Sequence, residues 1–249
     1  FNALLDDFKP DVVHLNNIHS QLSPIIAELA HKRRIKVVWT IHDLKLLCPR
    51  YDCMRNGKML CEECFVDKHK VLEYKCMKNS KVASFLAYRE ARKWNRQRLE
   101  TCTDLFICPS RFMEGKMAKG GFDKHKLTTL CNFIDVDKCK KDSYTEKEDY
   151  CCFLGRISNE KGIRTLIKAA NQLPYKLKII GGGPLDTEMR TLAKSNVEFM
   201  GFRQWNDIKE IIGKARFSIL PSECYENNPL TIIEAQCLGT PVLGARIGG

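Results

Sequence analysis

The chain has 249 residues, 44% hydrophobic and 29% charged, with a mean hydropathy of −0.32 and a formal net charge of +11. This composition belongs to a globular chain with enough apolar residues for a sizeable core, and it excludes a collagen-like or disordered one. No apolar run nears the roughly 20 residues of a membrane-spanning helix, which excludes an integral membrane protein.

The positive charge is uneven: 27 Lys/Arg face 18 Asp/Glu in residues 1–145, against 14 and 12 in residues 146–249. The surplus in the first half points to an anionic partner there, whether phosphate, nucleic acid or an acidic membrane surface. The chain begins at Phe1 and runs out at Gly248-Gly249 on a strand-like stretch. Both ends read as cut, so an internal fragment of a longer protein is expected.

Short β-branched and aliphatic runs alternate with helical patterns. In chain order, strands are expected at 12–15, 37–41 and 105–108, with helices at 23–34 and 80–102 between them. A polar stretch at 135–149, without apolar periodicity, reads as a linker. Strands then follow at 151–154, 177–180, 197–200, 217–220 and 241–243, separated by helices at 162–173, 185–194, 206–214 and 229–238. Buried apolar strands alternating with helices imply parallel sheets covered on both faces. The expected architecture is α/β, with two lobes at 1–143 and 144–249, each truncated at its outer end.

Thirteen cysteines is many for this length. Cys108, Cys131, Cys151 and Cys152 lie in apolar runs and read as small buried hydrophobes, and a reducing cytoplasm suits the regular α/β pattern better than a disulfide scaffold. Cys48, Cys53, Cys61, Cys64 and Cys76 form a separate cluster in a 48–76 insertion. Cys61-Glu62-Glu63-Cys64 has metal-ligand spacing, and Cys53 and Cys76 complete a four-thiolate set for a structural zinc, weighed against scattered free thiols.

Open parallel sheets bind ligands at the carboxyl ends of their strands, so chemistry is sought there. After the strand at 151–154 come Gly155-Arg156 and Lys161-Gly162, two cations at a helix start, suited to a diphosphate. After 177–180 come Gly181-Gly182-Gly183-Pro184, where a backbone can approach a ligand closely. The stretch from Ser222 to Ala235 places Glu226 in a loop beyond a strand, Asn228 and Pro229 at a helix start, and Glu234 in an otherwise apolar helix. Such a Glu needs hydroxyl partners. In the first half, His42 follows the strand at 37–41; His14 and His19 rank below it.

Glu226-x7-Glu234, preceded by Gly155-Arg156 and Lys161-Gly162 and followed by Gly239-Thr240-Pro241-Val242 and Gly248-Gly249, resembles the retaining glycosyltransferases of family four. The resemblance covers nearly the whole chain. It implies the GT-B fold, two Rossmann-like lobes around a cleft. It further implies that Arg156 and Lys161 hold the diphosphate of a UDP- or GDP-sugar. Glu226 would bind donor-sugar hydroxyls, Glu234 the ribose, and amides near Leu230 and Thr231, with Gly182 and Gly183, the phosphates. His42 corresponds to the family's cleft histidine. Asn132-Phe133-Ile134-Asp135 departs from the family's Asn-Gly-x-Asp in carrying Phe133.

The expected function is therefore metal-independent, retaining transfer to a glycan or lipid-linked acceptor in cell-surface polysaccharide or glycolipid synthesis, with no cofactor required and no nucleic acid bound. Arg89, Arg92, Lys93 and Arg96 form a basic stripe on the helix at 80–102, suited to peripheral contact with anionic lipid at the inner membrane face. The competing reading is a zinc-containing nucleic-acid-binding module. It lacks a basic recognition helix at zinc-finger spacing and leaves Glu226 and Glu234 unexplained.

Overall fold

The computed structural model describes residues 1–19, 22–135, 137 and 146–249. The chain divides into two units, Phe1–Cys131 with Gly249, and Asn132–Gly248. The lobe boundary expected at 143/144, like most of the linker, lies outside the described residues.

The first unit runs α1 (Asn2–Phe8), β1 (Val12–Asn16), α2 (Ile25–Lys32), β2 (Lys36–Thr40), a short hairpin of β3 (Met54–Arg55) and β4 (Met59–Leu60), then α3 (Lys70–Glu73), α4 (Lys81–Lys93), α5 (Arg96–Thr101), β5 (Leu105–Cys108), α6 (Arg111–Lys119) and β6 (Leu127–Thr129). Its parallel sheet has the order β1-β2-β5-β6. Trp39 and Phe106 pair in register on neighbouring strands and are almost wholly buried, with ring centroids 6.3 Å apart. Each such side chain contributes roughly 1.5–3 kcal/mol of burial, which fixes where the strand ends, and therefore the site loops, emerge.

The second unit runs β7 (Glu148–Leu154), α7 (Ile163–Ala170), β8 (Lys176–Ile180), α8 (Asp186–Leu192), β9 (Val197–Gly201), α9 (Trp205–Lys214), β10 (Ala215–Leu220), α10 (Leu230–Cys237) and β11 (Val242–Gly244). All pairings in its sheet are parallel, in the order β11-β10-β7-β8-β9. The strand period of two sorts its side chains to opposite faces. Phe153, Leu177 and Ile179 join Ile163, Ile167 and Met189 in one core layer; Tyr150, Cys152 and Ile180 join Ile212, Ala235 and Leu238 in the other. The sheet is therefore covered on both faces, as its apolar strands require.

Several expectations are corrected. The helix expected at 80–102 is two helices: α4 ends at Lys93, and the Asn95 side chain accepts from the Arg98 amide to cap α5. The basic stripe is thereby divided, with Arg89, Arg92 and Lys93 on α4 and Arg96 on α5 bound to the Gly121 carbonyl. The linker expected to reach residue 149 ends sooner, because Glu148 and Asp149 already belong to β7. Residues 136 and 138–145 of that stretch lie outside the described residues. Cys108 and Cys152 are buried as expected and their thiols are pushed up to about 12 by burial, but Cys131 is exposed beyond the end of β6. No helix among the described residues is long and apolar enough to cross a membrane.

Candidate active site

In the second unit the chain leaves the first strand, β7, adds β8 and β9 on one side, then returns to place β10 and β11 on the other. The reversal lies between β7 and β10, and ligand crevices form at such switch points, beyond the carboxyl ends of the strands. The loops there are 155–162 after β7 and 221–229 after β10, and they are stitched together. The Glu223 amide donates to the Glu160 carbonyl at 2.9 Å, and the Thr165 hydroxyl donates to the Glu223 carboxylate at 2.7 Å. Lys161 Nζ bonds Glu226 Oε1 at 2.6 Å, and the Ser222 hydroxyl donates to the same carboxylate oxygen. The Lys161 and Glu226 side chains are 28% and 12% exposed, so water screens this pair less than a surface pair.

Gly162 makes that approach feasible. Its φ is +65°, and a Cβ there would lie 1.9 Å from the Pro221 carbonyl oxygen, so no larger residue fits without parting the two loops. Gly248 acts similarly on the far side of Glu226: the two residues form a parallel bridge, and a Cβ on Gly248 would lie 2.3 Å from the Glu226 carbonyl oxygen.

Of the remaining expected residues, Arg156 is exposed on the loop after β7. Gly182 and Gly183 follow β8, and the Ile157 amide donates to the Gly182 carbonyl at 3.1 Å, tying that loop to Arg156's own. Leu230 and Thr231 open α10, where first-turn amides have no intrahelical acceptor. The helix starts one residue later than expected. Asn228 takes the left-handed conformation (φ 53°) and Pro229 stands in the cap position. Asn132 fixes that turn through its side-chain amide, which donates to the Asn228 carbonyl at 2.8 Å, while Phe133 is exposed. Glu234 is half-buried in α10, and burial alone raises its carboxyl above the ordinary range. A carboxylate so placed gains from any ligand that donates to it.

In the first unit, His42 follows β2 and bonds Asn16 Oδ1 through Nε2 at 2.8 Å. The ring keeps an exposed edge, while burial of the rest holds its pKa below the usual histidine value, against the pull of Asp43. A neutral imidazole at neutral pH follows. His14 lies within β1 and bonds the Thr40 hydroxyl at 2.7 Å; His19 packs on Trp39, with ring centroids 5.5 Å apart. Both serve the local structure.

Sequence reasoning missed Asn16 and Ser222. The signal for Asn16 was the sheet itself: Asn16 pairs with Thr40, so the strand-end rule that selects His42 also selects its neighbour. The four-thiolate zinc site is corrected. Among the described residues, no three His, Cys, Asp or Glu side chains are arranged to hold a metal ion, Cys53, Cys61, Cys64 and Cys76 included.

Comparison with known proteins decides the family. The sequence model for "Glycosyltransferase Family 4" matches residues 1–138, more than half of the chain. The chain belongs to glycosyltransferase family 4. The model for "Glycosyl transferases group 1" matches residues 136–249. Among curated relatives of this family-4 chain, an uncharacterized protein from the cps region of Klebsiella pneumoniae is 26% identical across the whole chain, which spans 61% of that relative. The O-antigen chain mannosyltransferase C of Escherichia coli is 29% identical over 42% of this chain and 29% of its own. Among solved structures, HepE of Anabaena in complex with UDP has a TM-score of 0.68 at 18% identity, covering 99% of this chain and 63% of that one. Sucrose-phosphate synthase of Thermosynechococcus elongatus has a TM-score of 0.66 at 18% identity, covering 100% of this chain and 59% of the other. These likenesses establish the GT-B fold, with its two Rossmann-like units.

Proposed function

We propose that the protein is a retaining glycosyltransferase that takes its sugar from a nucleotide-sugar donor, in the synthesis of a cell-surface polysaccharide or glycolipid. The observation that carries this reading is the Lys161–Glu226 pair at the switch point between β7 and β10, with Gly162 holding the two loops together. The HepE neighbour was solved with UDP, which supports a uridine or similar donor.

Breaking a glycosyl–phosphate bond leaves positive character on the sugar and negative charge on the departing diphosphate. Arg156 and Lys161, with the first amides of α10 at Leu230 and Thr231, supply fixed positive charge and dipoles for that leaving group. Electrostatic preorganisation of this kind usually contributes more to catalysis than any other single effect, and it needs no divalent metal. Glu226, already paired with Lys161, would turn its remaining acceptor capacity to donor-sugar hydroxyls, and Glu234 would accept from the ribose. His42, a neutral imidazole oriented by Asn16, is the first unit's own candidate for a substrate contact. The acceptor is a glycan or lipid-linked sugar. For a lipid-linked one, Arg89, Arg92 and Lys93 on α4 are the cations available for anionic lipid, and the site of action would be the cytoplasmic membrane face.

The test is a panel of UDP- and GDP-sugars offered to the full-length protein, with release of the nucleoside diphosphate followed in the presence of candidate acceptors. Turnover of one donor with an α-linked product from an α-linked donor supports the reading; duplex DNA bound in preference to every nucleotide sugar overturns it.

The role given to Glu234 carries a pH signature. Hydroxyl donors favour its carboxylate form, so nucleotide binding lowers the raised pKa and releases protons at pH values between the lowered and the raised pKa, fading as the free carboxyl ionises at higher pH. Affinity therefore rises with pH across that window. Calorimetry in buffers of different ionisation enthalpy measures the release, and Glu234→Gln is expected to remove it.

A further inference from the structure

Helix α4 turns its small residues inward and its large apolar ones outward. Ser84 and Ala87 are buried, and the Ser84 hydroxyl accepts from the Met77 amide at 3.1 Å. Tyr88 packs against the small cluster around Val71 and meets the His69 ring edge-on, with centroids 5.7 Å apart. These contacts fix the rotation of the helix about its axis. They leave Val82, Phe85 and Leu86 on the opposite side, 71%, 47% and 63% exposed. Their spacing of i, i+3 and i+4 sets the three side by side. An ordinary surface helix has the reverse arrangement, with its large apolar residues turned to the core. Single exposed apolar residues need no explanation, but a contiguous set on one helix face marks an interaction surface.

The same face continues into cations. Arg89, Arg92 and Lys93 are exposed over the following turns, and the Arg89 guanidinium lies 6.0 Å from the centroid of the Phe85 ring. The helix contains one acid, Glu90, which is engaged on the flank by Lys45 at 3.0 Å. The outward face is therefore apolar along its first half and basic along its second, with no carboxylate of its own.

We propose that this face of α4 is a membrane-docking surface, lying in the headgroup region of a bilayer rich in acidic lipid. Val82, Phe85 and Leu86 insert toward the acyl chains, while Arg89, Arg92 and Lys93 meet the phosphates. An amphipathic helix of this kind buries its apolar side chains roughly 5–10 Å into the headgroup boundary, and nearby cations add attraction to acidic lipid. The combination selects lipid over other anionic partners. Nucleic acid would engage the cations but gain little from three apolar side chains beside its phosphates. A second copy docked on the same face would bring together two basic surfaces, neither with an acid to offset the other. The choice of a lipid surface rests on the lipid-linked reading of the proposed function, whereas docking itself needs no sugar transfer.

The experiment sediments the full-length protein with vesicles of phosphatidylcholine alone or of equal parts phosphatidylcholine and phosphatidylglycerol, at low salt. Binding to the acidic vesicles is expected, and replacing Arg89, Arg92 and Lys93 by glutamine should weaken it about 100-fold. Phe85→Ser with Leu86→Ser, which leaves the charge unchanged, should weaken it about tenfold. Melting temperatures should match the parent's, since every replaced side chain is exposed. Phe85→Trp adds a probe of depth: on vesicle binding its emission should shift to the blue and be quenched by lipids brominated in the acyl chains, against the background of Trp39, Trp94 and Trp205 in the parent protein. Binding of UDP and GDP, measured on the same samples, keeps the two readings apart. Nucleotide bound by a protein that ignores vesicles rejects the docking alone, and vesicles bound by a protein that ignores nucleotides reject the donor site alone. The docking proposal is also overturned by equal binding to neutral and acidic vesicles, by an unquenched Trp at position 85, by duplex DNA displacing the vesicles, or by a dimer in solution that Phe85→Ser with Leu86→Ser dissociates.

Discussion

Lys161→Ala in the full-length protein is expected to lower kcat/KM for sugar transfer by about 100-fold, or roughly 3 kcal/mol of transition-state stabilisation, the size of one lost electrostatic contact to a developing negative charge. The lysine already touches Glu226 in the unliganded site. Removing it also leaves that carboxylate, 12% exposed, with the Ser222 hydroxyl but without this cation. Part of the loss therefore comes from a Glu226 no longer held in place, and Glu226→Ala should be nearly as damaging. The double variant should then cost less than the two single losses together, because the pair acts as a unit. The fall belongs mainly in kcat. Stability should fall by about 1–3 kcal/mol, since Glu226 stays largely buried and only the Ser222 hydroxyl still donates to it. Steady-state kinetics alongside thermal melts separate these effects. Near-normal turnover in either single variant would contradict the assignment of the site.

The second large effect is on the fold. Gly162→Ala puts a methyl group where the Pro221 carbonyl oxygen lies 1.9 Å away, on a backbone at φ +65°. The left-handed conformation costs a non-glycine residue about 1–2 kcal/mol, and relieving a backbone clash about 1–3 more. The obstacle is the backbone of the facing loop rather than a flexible side chain, so the loops must part. A loss of about 2–5 kcal/mol corresponds to a melting temperature lower by roughly 4–20 °C for a chain of this size. Transfer should fall as well, because Lys161 and Glu226 stand on the two loops that separate. Gly239→Ala is the useful contrast, since its φ of +70° carries similar backbone strain but no atom stands within 4 Å of the added Cβ. Equal melting points for the two variants would show that the approach of the loops is not what holds them.

Much of the candidate site was legible because it obeys one local rule. Parallel strands announce themselves as buried apolar runs, and their carboxyl ends must point the same way, so Arg156, Lys161, Gly182, Glu226 and His42 are all found just past such runs. What was not legible depends on partners distant in sequence. The Lys161–Glu226 bond joins residues 65 positions apart, and sequence alone gave the two side chains separate tasks. Asn16 reaches His42 only through the register of β1 on β2. The break between α4 and α5 was hidden because apolar and basic periodicity continue across it, while a single Asn side chain ends one helix and starts the next. Cysteine spacing likewise misled, since a C-x-x-C pair fixes separation along the chain but not where the other thiols converge. Among the described residues, no three His, Cys, Asp or Glu side chains are arranged to hold a metal ion.

In the proposed function the cations beyond β7 hold the diphosphate of a nucleotide, and this role is open to direct measurement. It is tested most directly by titrating the full-length protein with UDP and GDP and with the nucleosides uridine and guanosine. One of the diphosphates should bind about 100-fold more tightly than its nucleoside, and that advantage should vanish when Arg156 and Lys161 are both replaced by alanine. Equal affinity for nucleoside and diphosphate, or an advantage untouched by loss of both cations, would contradict it.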